Sequence, residues 1–146
     1  MVTIRNFQEQ DCFVLQQYKY QNKSIAEVKE MIAQWNTKQY DGKYFEMFAI
    51  CLQEEVVGLV SLYQHNDHII SAGPIIFQPF RRLGYGYAAI HLAYKYAKGQ
   101  GYKIASAQIK TDNIASIRLH EKFGFQRDCK MINRNGNEVY IYLKRL

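Results

Sequence analysis

The sequence predicts an α/β domain of the α+β kind: one mostly antiparallel sheet with a single crossover around a central helix. Three observations carry this. Apolar residues come in short runs separated by turn residues, as in Phe45 to Gln53 and Val56 to Gln64, which is the pattern of hairpin strands. From Tyr85 to Gly99, Ala89, Leu92, Ala93, Tyr96 and Ala97 recur at the three- and four-residue spacing of one helical face. That segment is entered from the apolar run Ile75-Ile76-Phe77 and left into a second run, Tyr102 to Lys110. Two strands joined through one helix are expected to lie parallel and adjacent.

In chain order, Val2 to Asn6 alternates and reads as the first strand. Gln8 to Gln17 reads as a helix, with Cys12, Leu15 and Phe13 as its inward residues. Ser24-Ile25-Ala26-Glu27 is a capping box. The helix it opens places Ile25, Val28, Ile32 and Trp35 on one face. Tyr40-Asp41-Gly42 is a turn. The two central runs follow as a hairpin turned at Glu54-Glu55, and Asn66-Asp67 turns into a third strand, His68 to Phe77. Pro79 cannot donate to a ladder and closes that strand. After the central helix and the Tyr102 to Lys110 strand, Asp112 or Asn113 caps a short helix that Gly124 stops after Lys122. Phe125 to Ile132 and Glu138 to Leu143 form a last hairpin, turned by Asn135-Gly136.

A chain of 146 residues, nearly half of them apolar, is expected to fold as one globular domain over residues 1–146. No apolar run approaches the ~20 residues that span a bilayer, and the N-terminal stretch lacks the pattern of a signal peptide. Cys12, Cys51 and Cys129 are odd in number and far apart, as expected of reduced thiols in a cytoplasmic protein. The net charge of +6 is uneven: residues 1–73 carry six Lys/Arg against nine Asp/Glu, and residues 74–146 carry thirteen against four. The basic half suits a polyanionic ligand and the acidic half a cation. No recognition-helix, zinc or aromatic RNA-binding motif stands out, so neither nucleic acid nor a metal is expected.

The basic half also contains Arg81-Arg82-Leu83-Gly84-Tyr85-Gly86, at the mouth of the central helix. The first N–H groups of a helix have no internal partner and lie at the positive end of its dipole. Gly84 and Gly86 have no Cβ to hold an anion off the backbone. Arg81 and Arg82 add two permanent cations that bind phosphate through paired donors. An ordinary glycine loop with two solvated arginines is the competing reading. No Gly-Lys-Ser/Thr follows, so this is not a P-loop, and the third glycine of the dinucleotide fingerprint is missing.

About thirty residues further on stands Asn113-x-x-Ser116-x-x-Leu119-His120-Glu121-Lys122-Phe123-Gly124-Phe125. The two motifs, in this order and on these elements, resemble the GNAT N-acetyltransferase family over most of the chain. The resemblance implies a mixed, mostly antiparallel sheet with helices on both faces and a splayed parallel strand pair. It implies acetyl-CoA as co-substrate, lying where strands 68–77 and 102–110 part, and an amine acceptor that attacks the acetyl carbon directly. Backbone groups at Ile76 and Phe77 would pair with the pantetheine arm, and the Ile76 amide would bond the thioester oxygen. Amides of Leu83, Gly84, Tyr85, Gly86 and Tyr87 would hold the pyrophosphate beside Arg81 and Arg82, and Asn113 and Ser116 would face the cofactor.

His120 stands where most of the family has a tyrosine that protonates the leaving thiolate. Asn113, Ser116 and His120 share one helical face. Histidine can donate a proton near neutral pH, so His120 either takes the acid role or packs against the cofactor while water gives the proton. The third strand lacks the glutamate that many relatives use as base. His68 shares the side-chain parity of Ile70 and is either the base, pointing into the cleft, or a turn histidine in solvent, with Asp67, His65 and Glu46 as weaker choices acting through water. Tyr18, Tyr20, Tyr40 and Tyr44 fall where the family walls its acceptor site, and either line it or simply pack. A module that binds acyl-CoA without turning it over, a nucleic-acid-binding protein using the basic half, and a homodimer are left open by the sequence.

Overall fold

A computed structural model describes residues 1–146. Eight strands form one sheet: β1 (Val2–Asn6), β2 (Gln39–Tyr40), β3 (Lys43–Leu52), β4 (Glu55–Gln64), β5 (Ile69–Ile76), β6 (Ile104–Lys110), β7 (Gln126–Ile132) and β8 (Glu138–Arg145). The order across it is β1-β3-β4-β5-β6-β8-β7, with β2 paired to the end of β3. Every pairing is antiparallel except β5 with β6. Four helices complete the chain: α1 (Cys12–Tyr18), α2 (Ile25–Trp35), α3 (Tyr85–Gly99) and α4 (Ile114–Lys122).

The helices divide between the two faces because the strands alternate. Met47, Ala49 and Cys51 of β3 pack with Leu15, Val28 and Ile32 of α1 and α2. Phe48 and Ile50 pack on the other face with Ala89, Ala93 and Ala97 of α3 and Ile117 of α4. On β4 the alternation breaks once. Ile50 pairs with Gly58 but Cys51 pairs with Val56, so Val57 is an extra residue. This β-bulge lets Val57 and Val60 share the α3 face. Beside it, a Cβ on Gly58 would stand 2.3 Å from the carbonyl oxygen of Ile75. Only glycine lets β4 and β5 approach so closely there.

The capping box at Ser24 forms as expected, with Glu27 N–H donating to Ser24 Oγ and Ser24 N–H to Glu27 Oε1. Other expectations need correction. The first helix is a short 3-10 turn, Glu9–Asp11, followed by α1. Asp11 ties this turn to β1: both its oxygens accept from Arg5, at 2.8 and 3.1 Å, and one also accepts from Gln8 N–H, capping the turn. Phe13 points to solvent, 63 % exposed. The β3–β4 turn is centred on Gln53, at φ 58°, and Glu54, one residue earlier than expected. The last hairpin turns through Asn133 to Asn137, where Asn133 Oδ1 accepts from two backbone N–H groups of the loop. An Asx-type loop thus replaces a two-residue Asn-Gly turn.

Candidate active site

β5 and β6 are parallel neighbours for only two residues, Ile69 with Ile104 and Ile70 with Ala105. Beyond these they part, and β5 keeps its partner β4 while the edge facing β6 is left without a strand. Parity shows which groups line that edge. Phe77 N–H donates to Val57 O, toward β4, and Ala72 N–H donates to Tyr94 Oη, away from it. The groups of Ala72, Pro74 and Ile76 therefore face the cleft. Pro74 is tolerated in mid-strand because its missing donor lies on this unpaired side. Ile76 N–H faces the cleft, and Arg81 Nε donates to Ile76 O at 2.9 Å.

The cleft opens toward the first turn of α3. Gly84 is its N-cap, at φ 82°, and no side chain caps the helix. The first intrahelical bond runs from Ala88 N–H to Gly84 O, so the amides of Tyr85, Gly86 and Tyr87 have no helical acceptor. Arg82 also holds a left-handed φ of 66°, unusual for a residue with a Cβ and worth of order 1 kcal/mol of strain. The two glycines do different work. Space around Gly84 is open, and its need is conformational. A Cβ on Gly86 would meet Ile76 Cγ1 at 3.3 Å and Pro74 Cβ at 3.7 Å. The absent Cβ of Gly86 therefore also lets α3 sit close on the end of β5.

Other expected residues divide similarly. Phe77 has its ring buried and stacked on Tyr18 at 5.1 Å, and its N–H is spent on β4, so only Ile76 of that pair presents its amide to the cleft. Leu83 is exposed. Tyr87 lies against Phe123 at 4.0 Å, and burial pushes its hydroxyl up to about 12. Asn113 is the N-cap of α4, accepting from Ser116 N–H.

His120 Nδ1 lies 2.8 Å from Ser116 O and 3.3 Å from Ser116 Oγ. A carbonyl only accepts, so Nδ1 carries the hydrogen and Nε2 is the free nitrogen. The imidazole stands edge-on to Phe125, 5.0 Å away. Ring and tautomer are both fixed.

On the opposite face of the sheet, two histidines lie near the end of β4 and the start of β5. His68 lies in the turn before β5, exposed, and its backbone is engaged by Asn66, Lys103 and Ile104. His65 reaches back to the point where the strands part: its Nε2 is 2.6 Å from Ser71 Oγ, which donates to Ser106 O at 2.5 Å. With the Ser71 proton so placed, Nε2 must be the donor and Nδ1 is left as a free acceptor. Burial, helped by the Lys43 charge, lowers the His65 pKa from its ordinary 6.5. His65 is thus a neutral imidazole near pH 7. Glu46 is fully enclosed, with Asn6 Nδ2 at 2.9 Å, the Tyr44 hydroxyl and Lys38 as partners. By strand parity it faces α3, away from Ser71. Asp67 is exposed in the turn.

A row of side chains crosses that face in register: Phe45 on β3 opposite Tyr63 on β4, and Tyr63 opposite Ser71 on β5. At its far end Trp35, Tyr40, Phe45 and Tyr63, with Gln34 and Gln39, line a pocket of about 290 Å³. Tyr40 is the one of the four tyrosines singled out from the sequence that lines it. Tyr18, Tyr20 and Tyr44 pack against Phe77, Trp35 and Tyr102. A larger cavity of about 610 Å³ lies between β1 and α3, away from the cleft. No group of three or more His, Cys, Asp or Glu is placed to hold a metal ion.

A model of the acetyltransferase (GNAT) domain matches residues 2–126 of this chain. The chain belongs to the GNAT acetyltransferase family. It is accordingly an acyltransferase, with the splayed strand pair and two-faced helical cover that the family resemblance implied. No curated protein matches its sequence. Among solved structures, the Salmonella typhimurium acetyltransferase that modifies the N-terminal serine of a 50S ribosomal subunit protein superposes with a TM-score of 0.78 at 16 % identity, covering 99 % of this chain and 95 % of that one. A spermidine N-acetyltransferase chimera of Vibrio cholerae SpeG and hSSAT gives 0.77 at 18 % identity, covering 99 % and 94 %. The microcin C7 self-immunity acetyltransferase MccE, in complex with acetyl-CoA and AMP, gives 0.78 at 18 % identity, covering 99 % and 92 %. At these identities the likeness is one of fold. No helix of this GNAT protein is long and apolar enough to cross a membrane.

Proposed function

We propose that the protein transfers the acetyl group of acetyl-CoA to a primary amine by direct attack. One observation carries this reading: a β5 edge without a strand partner, presenting the Ile76 N–H, runs into the uncapped first turn of α3 beside Arg81 and Arg82. Such an edge suits an extended amide-bearing arm, as a β-strand would. The helix terminus suits the diphosphate that such an arm hangs from. The Ile76 amide, aimed at the thioester oxygen, would polarise the carbonyl and stabilise the charge that develops on it.

The acceptor enters from the α1/α2 face, along the row from Tyr63 to Ser71. The amine nitrogen attacks the acetyl carbon, the C–S bond breaks, and coenzyme A leaves. The amine proton goes to His65 Nδ1 directly or through one water, and the leaving thiolate takes a proton from His120 or from water. The aromatic pocket at the end of the row suits an acceptor carrying an apolar or cationic group.

Turnover of acetyl-CoA across a broad amine panel, followed by thiol release, tests the reading. CoA binding without release of thiol on any amine would leave a binding module in place of the enzyme. The His65 base gives a pH signature. A base must be unprotonated, so kcat/KM should climb through a pKa below 6.5 and level off by neutrality. His65→Gln should remove that rising limb and lower kcat/KM by roughly 10²-fold; an unmoved profile discards the assignment. His120→Ala should lower kcat by a similar factor while CoA affinity stays within a few-fold, and His120→Tyr should restore a large part of it. Equal kcat in all three forms would show that water supplies the proton.

A further inference from the structure

A pocket of about 250 Å³ opens beside Ile76, with Tyr18, Lys19, Ile75 and Arg81 also in its wall. It lies on the α1/α2 face of the sheet. Phe77 belongs to the core under those helices and stacks on Tyr18. Ile75, two residues back, shares that face and is 38 % exposed. The Ile76 side chain points the other way, toward Gly86 of α3. The pocket is therefore on the side from which the amine approaches, while the helix terminus suited to a diphosphate is on the other.

No carboxylate lines this pocket, and two cations do. Neither Lys19 nor Arg81 makes an ion pair. Arg81 is steadied by its bond to Ile76 O and also faces the donor. Lys19 is half-buried at the C-cap of α1. A cation at a helix C-terminus complements the dipole, but that use requires no pocket beside it. The volume is small against the roughly 300–1,000 Å³ of sites that hold a whole drug-sized ligand, so it suits one group of an acceptor. We propose that this pocket is an anion subsite for the acceptor, in which Lys19 holds a carboxylate carried a few atoms from the amine nitrogen. The acceptor is then an amino acid or a similar amino-carboxylate. This rests on the reading of the cleft as an acetyl-CoA site with the amine entering from the α1/α2 face.

The test is thiol release from acetyl-CoA with two matched series: tyrosine, tyrosinamide and tyramine, and leucine, leucinamide and isopentylamine. The amides stand for a peptide N-terminus and the plain amines lack the carbonyl altogether. In the wild type, kcat/KM for the amino acid should exceed that for its amide by about tenfold or more, the worth of one charge-assisted hydrogen bond. Lys19→Gln should bring that ratio close to one, and Lys19→Arg should keep most of it. CoA affinity, by isothermal titration, should stay within about twofold in both variants. A lysine that only steadies α1 would move the melting temperature and leave the ratio alone. A wild-type ratio near one, or an equal ratio in Lys19→Gln, overturns the proposal while the transferase reading stands. If no member of either series releases thiol, the proposal falls, and titration with acetyl-CoA decides separately whether the donor-site reading falls with it.

Discussion

Gly58→Val is expected to destabilise the protein by about 3 kcal/mol or more, lowering Tm by roughly 6–12 °C. The reason is local and geometric. The first atom of any side chain at position 58 would sit 2.3 Å from a backbone oxygen of the neighbouring strand. Neither partner can rotate away, because both are main chain inside a paired ladder. Relief requires β4 and β5 to separate where the bulge at Val57 already bends β4, and that displaces Ile75 and Ile76 at the wall of the cleft. Gly99→Ala is the control. Nothing lies within 4 Å of a Cβ at position 99, and alanine is the better helix former, so stability there should hold or rise. Thermal melts of the two variants check the pair. A Gly58→Val melt within 2 °C of wild type would mean that the strands do not approach as described.

The second large effect concerns the cofactor. Replacing Arg81 and Arg82 together by alanine should weaken CoA binding by roughly 100-fold at low salt, from two charge-assisted contacts worth ~1.5 kcal/mol or more each. Folding stability should scarcely change, since both residues are exposed. Arg81 already spends Nε on Ile76 O, which leaves its terminal nitrogens for an anion. Arg82 sits at φ 66°, so Arg82→Gly separates the charge from the backbone: it should lose affinity as alanine does yet be the more stable of the two. Pantetheine lacks the diphosphate, and its binding should be indifferent to either arginine. Isothermal titration with CoA and with pantetheine reads both arms. Equal losses on the two ligands would place the arginines' effect on the shape of the loop instead of on charge.

The parts legible in the sequence share a physical character. The capping box at Ser24, the helical face from Ala89 to Ala97 and the two long central strands are local patterns, and each forms where its residues dictate. The parallel adjacency of β5 and β6 followed from the handedness and economy of crossovers. Its length did not, because a splay is set by what packs beneath the strands, and that includes Tyr94 and Phe125 from distant segments. The first helical segment lies where its residues suggest, but its opening 3-10 turn and the tie from Asp11 to Arg5 of β1 are long-range details that no local pattern carries. For Gly86 the sequence pointed to an anion, and only the structure shows that the missing Cβ also matters for the contact of α3 with Ile76 and Pro74. Among histidines, strand parity left His68 either in the cleft or in solvent, and no periodicity could reveal that the His65 ring lies against Ser71. A hint was available: β-branched and aromatic residues stop at Gln64, so His65 stood at a strand end with freedom to turn inward.

Pro74 has a consequence for how the protein behaves when no ligand is bound. A bare β-edge inside a crevice invites any extended segment, including another copy of the same strand, to complete the ladder. A protein partner would need a donor at every second residue to hold such an edge, and the proline breaks that series at its midpoint. A slender arm that needs only the outermost N–H is not penalised. The same ring that looks out of place in a strand thus discourages self-association while keeping the crevice open to a small guest.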